Sequence, residues 1–449
     1  MGKQSTFIIL AIFIAMAGYI YLVEVKQTER KEKEKEEATR VFHINADSLS
    51  EIRIRNTHGE FTFQNQGETW GIVKPVQTAA SETAIHSLLE DIKELKWDRK
   101  ISITPDRLEE FGVKNASTAI RLTDESGARD SLFIGDETPV GNFVFATRSD
   151  TIIYTIEKSF SSVLNKPLHD WRDRRPLYFD KPLVKELDVF QPGHKVIFAK
   201  DEKGDWQISN IQRPAENYRV NSLLERLQSQ SATDFIDDPG TKLNAYGLKK
   251  PVIRVVVKLE GGKKKELWIG KKDGNYYYAR DISRTPVFKV SEMLVDDLTK
   301  PVNSYRDKNL VMVDTDSIDG LEISYQDTLI TLRKDTHNRW YLDQPEMPQA
   351  DPDEVETLLN HIRFASIEKF VEDEPHDLEV YGLVTPTLSV RLFKQGEQLL
   401  EIRLGKENDE QIYATTSQFN SVYLVRKQFL KDLKIKESDL RISKEKEKS

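Results

Sequence analysis

Apolar and polar residues alternate along much of the chain, as they do in β-strands with one buried face. Residues 51–55 (EIRIR) and 60–64 (EFTFQ) alternate in this way, and His58 and Gly59 between them favour a turn. Behind Ser81, which favours a helix N-cap, five apolar residues follow helical spacing: Ile85, Leu88, Leu89, Ile92 and Leu95. Residues 41–176 therefore predict an α+β unit, a mostly antiparallel sheet with one main helix.

Short motifs of this unit return twice further along the chain. Leu88 is followed by Leu223 and Leu358, at a step of 135 residues each time (223 − 88 and 358 − 223). Other motifs keep this spacing to within one residue: Phe111-Gly112, Tyr246-Gly247 and Tyr381-Gly382; Gly135, Gly270 and Gly405; Trp70, Trp206 and Trp340. Because chance matches would not hold one offset across several motifs, the sequence predicts a triplication.

The length of the repeat indicates domains rather than solenoid units. It exceeds the roughly 20–50 residues of a solenoid repeat and is typical of a small domain. We therefore expect three tandem α+β domains behind an anchor and a spacer. The predicted segments are a membrane anchor at 1–23, a charged spacer at 24–40, repeats at 41–176, 177–309 and 310–441, and a disordered tail at 442–449.

A segment near the N-terminus predicts membrane attachment. Residues 7–23 are 17 consecutive residues without a charge, close to the shortest helix that spans a bilayer. Ala15-Met16-Ala17 has the form of a signal-peptide cleavage site, but cleavage there would leave the apolar residues 19–23 near the new N-terminus. We therefore predict an uncleaved single-pass transmembrane helix.

The charges around this segment bear on its orientation. More basic residues follow the apolar segment, in 24–40, than precede it, where Lys3 stands alone. The positive-inside rule by itself would therefore keep the following chain in the cytoplasm. Long C-terminal domains are translocated largely regardless of nearby charge. We therefore predict an extracytoplasmic (periplasmic) body on a cell inner membrane. Residues 24–40 are interpreted as a spacer, either a solvated helix or a disordered tether.

Composition narrows the classes of function. The chain has 449 residues, 66 Lys+Arg against 74 Asp+Glu, a net charge of -8 and no cysteine. With 38% hydrophobic residues it can bury cores, which excludes a disordered chain. The acidic balance argues against nucleic-acid binding, and the lack of cysteine removes disulfide scaffolds and cysteine nucleophiles.

The sequence contains no catalytic or metal-binding motif, and we predict no cofactor and no metal. The eight histidines include no pair at the spacing of a helical zinc site. Asp314, Asp316 and Asp319 resemble part of a calcium loop, but Tyr325 stands where that loop needs a glutamate. Paired carboxylates could do acid–base chemistry, although some pairs are inevitable among 74 acidic residues.

One aromatic pair is a candidate for ligand binding. Tyr276 and Tyr278 fall on the same face of a predicted strand, where they could stack on a glycan or hold a partner. The alternative is that this face of the sheet packs on the main helix.

The recurring glycines and arginines have structural interpretations. Gly112 and its equivalents are expected to adopt a backbone angle that other residues resist. Gly135 and its equivalents are expected to end strands and open turns. Arg172-Asp173 and Arg306-Asp307 each follow an aromatic residue at a junction, whereas the third unit has Asp439-Leu440-Arg441. Two pairs at two junctions predict a salt bridge or cap between units.

The repeated motifs resemble an uncharacterised bacterial family of membrane-anchored extracytoplasmic repeat proteins that contain a domain of unknown function. The residues that carry the resemblance are Trp206, Leu223-Leu224, Leu243-x-x-Tyr246-Gly247-Leu248-x-x-Pro251, Ile269-Gly270, Tyr278-Ala279 and Val287-Phe288-Lys289-Val290. The first repeat departs from the pattern, with Ala116 in place of the proline. Members are often encoded beside gliding-motility-type (Gld) ABC transporter components. The resemblance implies a location and a class of partner, but no catalytic residue.

The prediction for function is a non-enzymatic, membrane-anchored scaffold or accessory protein. The expected partners are the membrane and membrane proteins of ABC transporter type, with no nucleic acid. An envelope module that binds glycan or peptidoglycan through its aromatic strands is the first alternative. An unrecognised hydrolase is the second, because sites can lie on any fold.

Overall fold

A computed structural model describes residues 37–67 and 69–442, together with the single positions 13, 16, 19 and 21. Apart from those positions, the predicted anchor lies outside the described residues, as do most of the spacer and the tail beyond residue 442. In the part of the chain that the structure describes, no helix is long and apolar enough to cross a membrane.

The first repeat forms a nine-stranded sheet. Its elements are β1 (Leu49–Asn56), β2 (Gly59–Asn65), β3 (Trp70–Lys74), β4 (Thr78–Ala79), α1 (Glu82–Glu94), β5 (Trp97–Ser102), a 3₁₀ helix (Pro105–Phe111), β6 (Thr118–Asp124), β7 (Arg129–Glu137), β8 (Phe143–Thr147), β9 (Ile152–Glu157), α2 (Lys158–Leu164) and α3 (Leu168–Trp171). The strand order is β4-β3-β2-β1-β6-β7-β8-β9-β5. The chain thus crosses from one edge of the sheet to the other through α1.

The second and third repeats have the same topology, except that the third sheet has eight strands. The second contains β10 (Val184–Gln191), β11 (His194–Lys200), β12 (Trp206–Ile208), β13 (Arg213–Pro214), α4 (Asn217–Ser229), β14 (Phe235–Asp237), β15 (Ile253–Leu259), β16 (Lys264–Asp273), β17 (Tyr276–Asp281), β18 (Val287–Ser291) and α5 (Glu292–Leu298). The third contains β19 (Gly320–Tyr325), β20 (Thr328–Lys334), β21 (Trp340–Leu342), α6 (Pro352–Arg363), β22 (Ile367–Asp373), β23 (Leu388–Lys394), β24 (Glu397–Asn408), β25 (Gln411–Thr416), β26 (Phe419–Arg426) and α7 (Lys427–Leu433). The predicted fold class is confirmed: three tandem sheet-rich α+β repeats with antiparallel pairing.

The alternation seen in the sequence builds the core of the first repeat. Ile52 and Ile54 of β1 are buried, and they belong to the same hydrophobic core as the buried residues of α1. The predicted cap of α1 is also present, because the Ser81 side chain accepts a hydrogen bond from the Ala84 N–H. Burial of one face of each element is therefore what holds helix and sheet together.

The described residues divide into two compact units that do not coincide with the repeats. One unit comprises the described residues up to Ile197 together with Ser222–Thr299, and the other comprises Phe198–Asn221 with the described residues from Lys300 onward. The division falls inside the second repeat. The predicted boundaries at 177 and 310 stay predictions.

Two glycines in each repeat allow the backbone to approach itself closely. Gly112, Gly247 and Gly382 have φ values of +68°, +73° and +69°, as expected for residues that other side chains resist. Each of the three follows an aromatic residue. In each repeat the backbone at this turn approaches a second glycine, which lies within a strand of the sheet. A Cβ added to Gly270 would lie 2.2 Å from the carbonyl oxygen of Tyr246. That carbonyl instead accepts a hydrogen bond from the Lys271 N–H at 2.9 Å.

The expectation that the second set of glycines opens turns is wrong. Gly135, Gly270 and Gly405 lie within β7, β16 and β24, and the register with the next strand shifts just there in all three sheets. The shift is typical of a β-bulge, which bends a strand without ending it. Sequence alone suggested a turn because glycine also marks turns, whereas the close carbonyl is visible only in three dimensions.

Gly270→Ala should lower the melting temperature of the full chain. The added Cβ would lie 2.2 Å from a backbone oxygen rather than from the end of a flexible side chain, so we expect a loss of about 2–4 kcal/mol. Gly71→Ala is the matched control in the same compact unit, because its nearest atoms belong to the end of the Gln66 side chain, which can rotate away. Differential scanning calorimetry measures both variants. Equal shifts would contradict the carbonyl contact as the cause.

Candidate functional site

The candidate pair on β17 is partly engaged in contacts within the repeat. Tyr276 is 36% exposed, and Tyr278 is half-buried. The Tyr278 hydroxyl donates to Asp273 Oδ2 at 2.8 Å, and the Lys289 ammonium lies 2.8 Å from the same oxygen. The hydrogen bonds from Lys289 and Tyr278 lower the pKa of Asp273, and the bond to that carboxylate raises the pKa of Tyr278. The Tyr278 hydroxyl is therefore held in place by the Asp273 carboxylate.

The ring of Tyr278 packs in a way that recurs in every repeat. Its centre lies 4.9 Å from that of Tyr246, the aromatic residue before the turn glycine. The equivalent distances are 4.9 Å between Tyr381 and Tyr413 and 5.0 Å between Phe111 and Phe145. Packing thus accounts for Tyr278. Its ring contacts Tyr246, in the aromatic–glycine segment (Phe111-Gly112, Tyr246-Gly247 or Tyr381-Gly382 in the three repeats), rather than the main helix. Tyr276 is the more exposed member of the pair.

Alanine at each tyrosine should separate packing from recognition. Tyr278→Ala removes a ring contact and a hydrogen bond to a carboxylate, so we expect a loss of about 1–3 kcal/mol. Tyr276→Ala should change stability by less than about 0.5 kcal/mol, as at most exposed positions. Thermal melting of the full chain measures both. A larger loss for Tyr276→Ala would show that the two roles are reversed.

A buried arginine joins the first repeat to the second. Arg172 is only 3% exposed and donates to Asp238 Oδ2 at 2.9 Å. Its guanidinium lies 4.5 Å from the centre of the Phe235 ring. Arg172 belongs to the predicted repeat 41–176, and both of its partners belong to 177–309. The charge is therefore held by a carboxylate and an aromatic face of the neighbouring repeat.

A second arginine joins the second repeat to the third in the same way. Arg306 is 3% exposed, donates to both oxygens of Asp373 at 2.8 and 2.9 Å, and lies 3.9 Å from the centre of the Phe370 ring. Arg213 of the second repeat also reaches across, donating to Ser421 Oγ at 2.9 Å. The predicted salt bridge between repeats is confirmed at both junctions.

The third equivalent arginine is present but engaged differently. Arg172, Arg306 and Arg441 occupy matching positions, because each forms an isolated bridge to the alanine before the main helix of its repeat. Arg441 is largely exposed and pairs with Glu437. At the position of Phe235 and Phe370, the first repeat has Lys100. Arginine and acceptor thus match only where two described repeats meet.

Arg306→Met should destabilise the compact unit that contains it. Removing one partner of a fully buried pair costs about 3–5 kcal/mol, and we expect about 2 kcal/mol because Asp373 stays partly exposed. Arg441→Met is the control, with an expected change below about 1 kcal/mol. Calorimetry of the full chain compares them. Equal losses would contradict the conclusion that the Arg306–Asp373 pair holds the second and third repeats together.

The Arg306–Asp373 pair should also make the stability of the fold depend on pH. Burial raises the pKa of Asp373, but hydrogen bonds from Arg306 and Ser421 outweigh it and leave the pKa below its ordinary value. Such a group stabilises the fold above about pH 4 and loses that contribution as the pH falls through its folded pKa. The melting difference between wild type and Asp373→Asn should therefore shrink in acid.

The acidic residues that resembled a calcium loop have separate structural roles. Asp314 accepts a hydrogen bond from the Asp316 N–H at 3.1 Å and caps a short 3₁₀ helix. Asp316 pairs with Arg363, and Asp319 accepts a hydrogen bond from the Gln395 N–H at 2.7 Å. Within the described ranges, no group of three or more His, Cys, Asp and Glu residues could hold a metal ion.

Sequence analysis missed a carboxylate pair on the second sheet. Glu186 and Asp188 lie two residues apart on β10, and Lys258 of β15 pairs with both, at 3.1 Å from Asp188. Burial, and after it the hydrogen bond shared with Glu186, raises the pKa of Asp188. Burial acts in the same direction on Glu186, but the hydrogen bonds from Lys258 and Asp188 outweigh it and lower the pKa of Glu186. The pair could hold a proton, but Lys258 already balances its charge. Glu186 and Asp188 share a face because they are two residues apart on one strand, and the register of β10 with β15 brings Lys258 beside them.

The fold and these contacts define a class of protein: a triplicated α+β sheet domain joined by buried arginines. Residues 70–251, 206–363 and 340–445 each match the family described as "Domain of unknown function (DUF4340)". The matches cover most of the chain, so the chain belongs to this family. Each match starts at one of the recurring tryptophans, which confirms the repeat.

Similarity to solved structures is slight. A DNA polymerase sliding clamp from Pseudomonas aeruginosa, solved with ligand, is 10% identical over 87% of this chain and 94% of its own, with a TM-score of 0.15. The DNA polymerase III subunit beta from the same organism is 10% identical over 86% and 94%, with a TM-score of 0.16. Scores this low carry no argument about fold or function. No curated protein matches the chain.

Proposed function

We propose that this chain is a membrane-anchored, extracytoplasmic scaffold or accessory protein that works with a membrane complex of ABC transporter type. The anchor is residues 7–23, with the body on the periplasmic side of a cell inner membrane. In this proposal the protein performs no chemical reaction. It holds its repeats at a distance from the bilayer that residues 24–40 set.

The observation that carries the proposal is how the recurring motifs are used. The aromatic–glycine segments pack within their own repeats, and the junction arginines bind the next repeat. Three copies of one domain, joined by charges that are buried and paired, suit a protein that presents several surfaces to a partner. A catalytic protein would need one repeat to depart from this use of its polar residues.

Three described positions within the proposed anchor support membrane attachment. Phe13, Met16 and Tyr19 are helical, and their side chains are 71%, 59% and 66% exposed. Large apolar side chains that the protein itself leaves uncovered favour an apolar environment such as lipid.

Two other functions rest on narrower observations. An envelope glycan-binding module would use Tyr276, whose ring is the exposed one on β17. A hydrolase would use the Glu186–Asp188 pair, which has one raised and one lowered pKa. The neutralising Lys258 weakens the second alternative.

A membrane-impermeant crosslinker applied to intact spheroplasts tests location and partner together. We expect the full chain to react and to be joined to an ABC-type permease or its auxiliary subunit, identified by mass spectrometry. A variant in which residues 24–36 are shortened is the matched control. Its body is unchanged, but its shorter reach should lower the yield with a distant partner.

Two results would contradict the proposal. The first is a chain that stays unmodified while a known external protein reacts, because the body would then face the cytoplasm. The second is full loss of cellular function in Asp188→Asn, if that variant is folded, membrane-bound and still crosslinked. That result would favour the hydrolase.

A further inference from the structure

The outer face of the first sheet carries an unusual arrangement of charge. Arg53 on β1 and Arg121 on β6 are directly opposite each other in the antiparallel register. Like charges at directly opposed positions destabilise a sheet. Arg129 follows on β7, diagonal to Arg121, and it is exposed. The strands therefore bring three guanidinium groups onto one surface of a protein whose net charge is -8.

The other two sheets differ at the same positions. Arg53 corresponds to Asp188 in the second repeat and to Glu322 in the third, because each lies between two buried core residues of the first core strand of its sheet. Asp188 is opposite Val256, and Glu322 is opposite Arg391. Only the first of the three described sheets opposes two cations here. The opposed arginines therefore occur in one repeat alone, and the shared fold does not require them.

Few contacts within the protein compensate these cations. Arg53 pairs with Glu51 at 2.7 Å. The contact of Arg121 with Ser131 Oγ is long, at 3.4 Å. For Arg129, the described part of the chain supplies no side-chain partner. Glu51 engages Nε and Nη2 of Arg53, so Arg53 Nη1 and the guanidinium groups of Arg121 and Arg129 keep donors for an external anion.

A cleft of about 440 Å³ lies on this surface. Its lining contains Arg53, Arg121, Arg129 and Glu51, together with uncharged polar side chains that include Thr123 and Asn65. Three arginines against one glutamate give the lining a formal charge of +2. Amide and hydroxyl groups surround them, and the volume is in the range of small-ligand sites.

We propose that this cleft binds a phosphate group. The planar guanidinium fork matches phosphate oxygens in two parallel hydrogen bonds, and an anion between Arg53 and Arg121 would replace their repulsion by attraction. The neighbouring Thr123 and Asn65 side chains offer further donors. The phosphate comes either from a lipid headgroup or from a soluble compound, and the inference holds whether or not the proposed scaffold function does.

The test uses the full chain in neutral detergent micelles, titrated calorimetrically with inorganic pyrophosphate at low salt. Arg53→Gln/Arg121→Gln should weaken binding roughly tenfold or more, because two charge-assisted contacts are lost. Arg391→Gln, at the equivalent of Arg121 in the third repeat, should leave binding unchanged. The melting temperature of the double variant should equal or exceed that of wild type, since a repulsion is removed.

A second arm identifies the source of the phosphate. The full chain is placed in phosphatidylcholine nanodiscs with or without phosphatidylglycerol, and hydrogen exchange is followed over β1 and β6. Protection that requires phosphatidylglycerol and is lost in the double variant indicates a lipid headgroup. Pyrophosphate binding without such protection indicates a soluble ligand. Absence of both effects in wild type, or equal binding by wild type and the double variant, overturns the proposal.

Discussion

The fold of each repeat depends on one close approach of the backbone to itself. The carbonyl of Tyr246, held above β16, leaves no room for a Cβ at Gly270 and bonds to the next N–H. That contact fixes the turn at Gly247 and, through it, places the Tyr246 ring on Tyr278. The register of β16 with β17 shifts at the same place. The first and third repeats have the same close approach, of the Phe111 carbonyl to Gly135 and of the Tyr381 carbonyl to Gly405, so this constraint accounts for the motifs that mark the triplication.

Much of this architecture was predictable, because side-chain periodicity records which face of an element is buried. The strands, the cap at Ser81 and the three-fold repeat all follow from local patterns. The role of Gly270 did not, since a glycine needed for close approach is indistinguishable in sequence from one that opens a turn. The two compact units were also beyond reach, because their division inside the second repeat depends on packing between distant segments.

The candidate sites were harder to predict than the fold for a related reason. Tyr276 and Tyr278 stood out because they are two residues apart on one predicted strand, and one of the two is accounted for by packing. Arg53 and Arg121 were not recognised because 68 residues separate them (121 − 53), and only the pairing of β1 with β6 makes them neighbours. The antiparallel register is thus the information that single-strand patterns lack.

A triplicated frame also shows where function can reside. Positions that hold the frame together carry the same kinds of residue in all three repeats, as the turn and strand glycines do. The outer-face position occupied by Arg53, Asp188 and Glu322 carries opposite charges on the same backbone. The frame tolerates either sign there, so the fold alone does not dictate the choice. Differences between repeats at such tolerant positions, rather than the shared motifs, are therefore where the three domains are free to acquire separate ligands and partners.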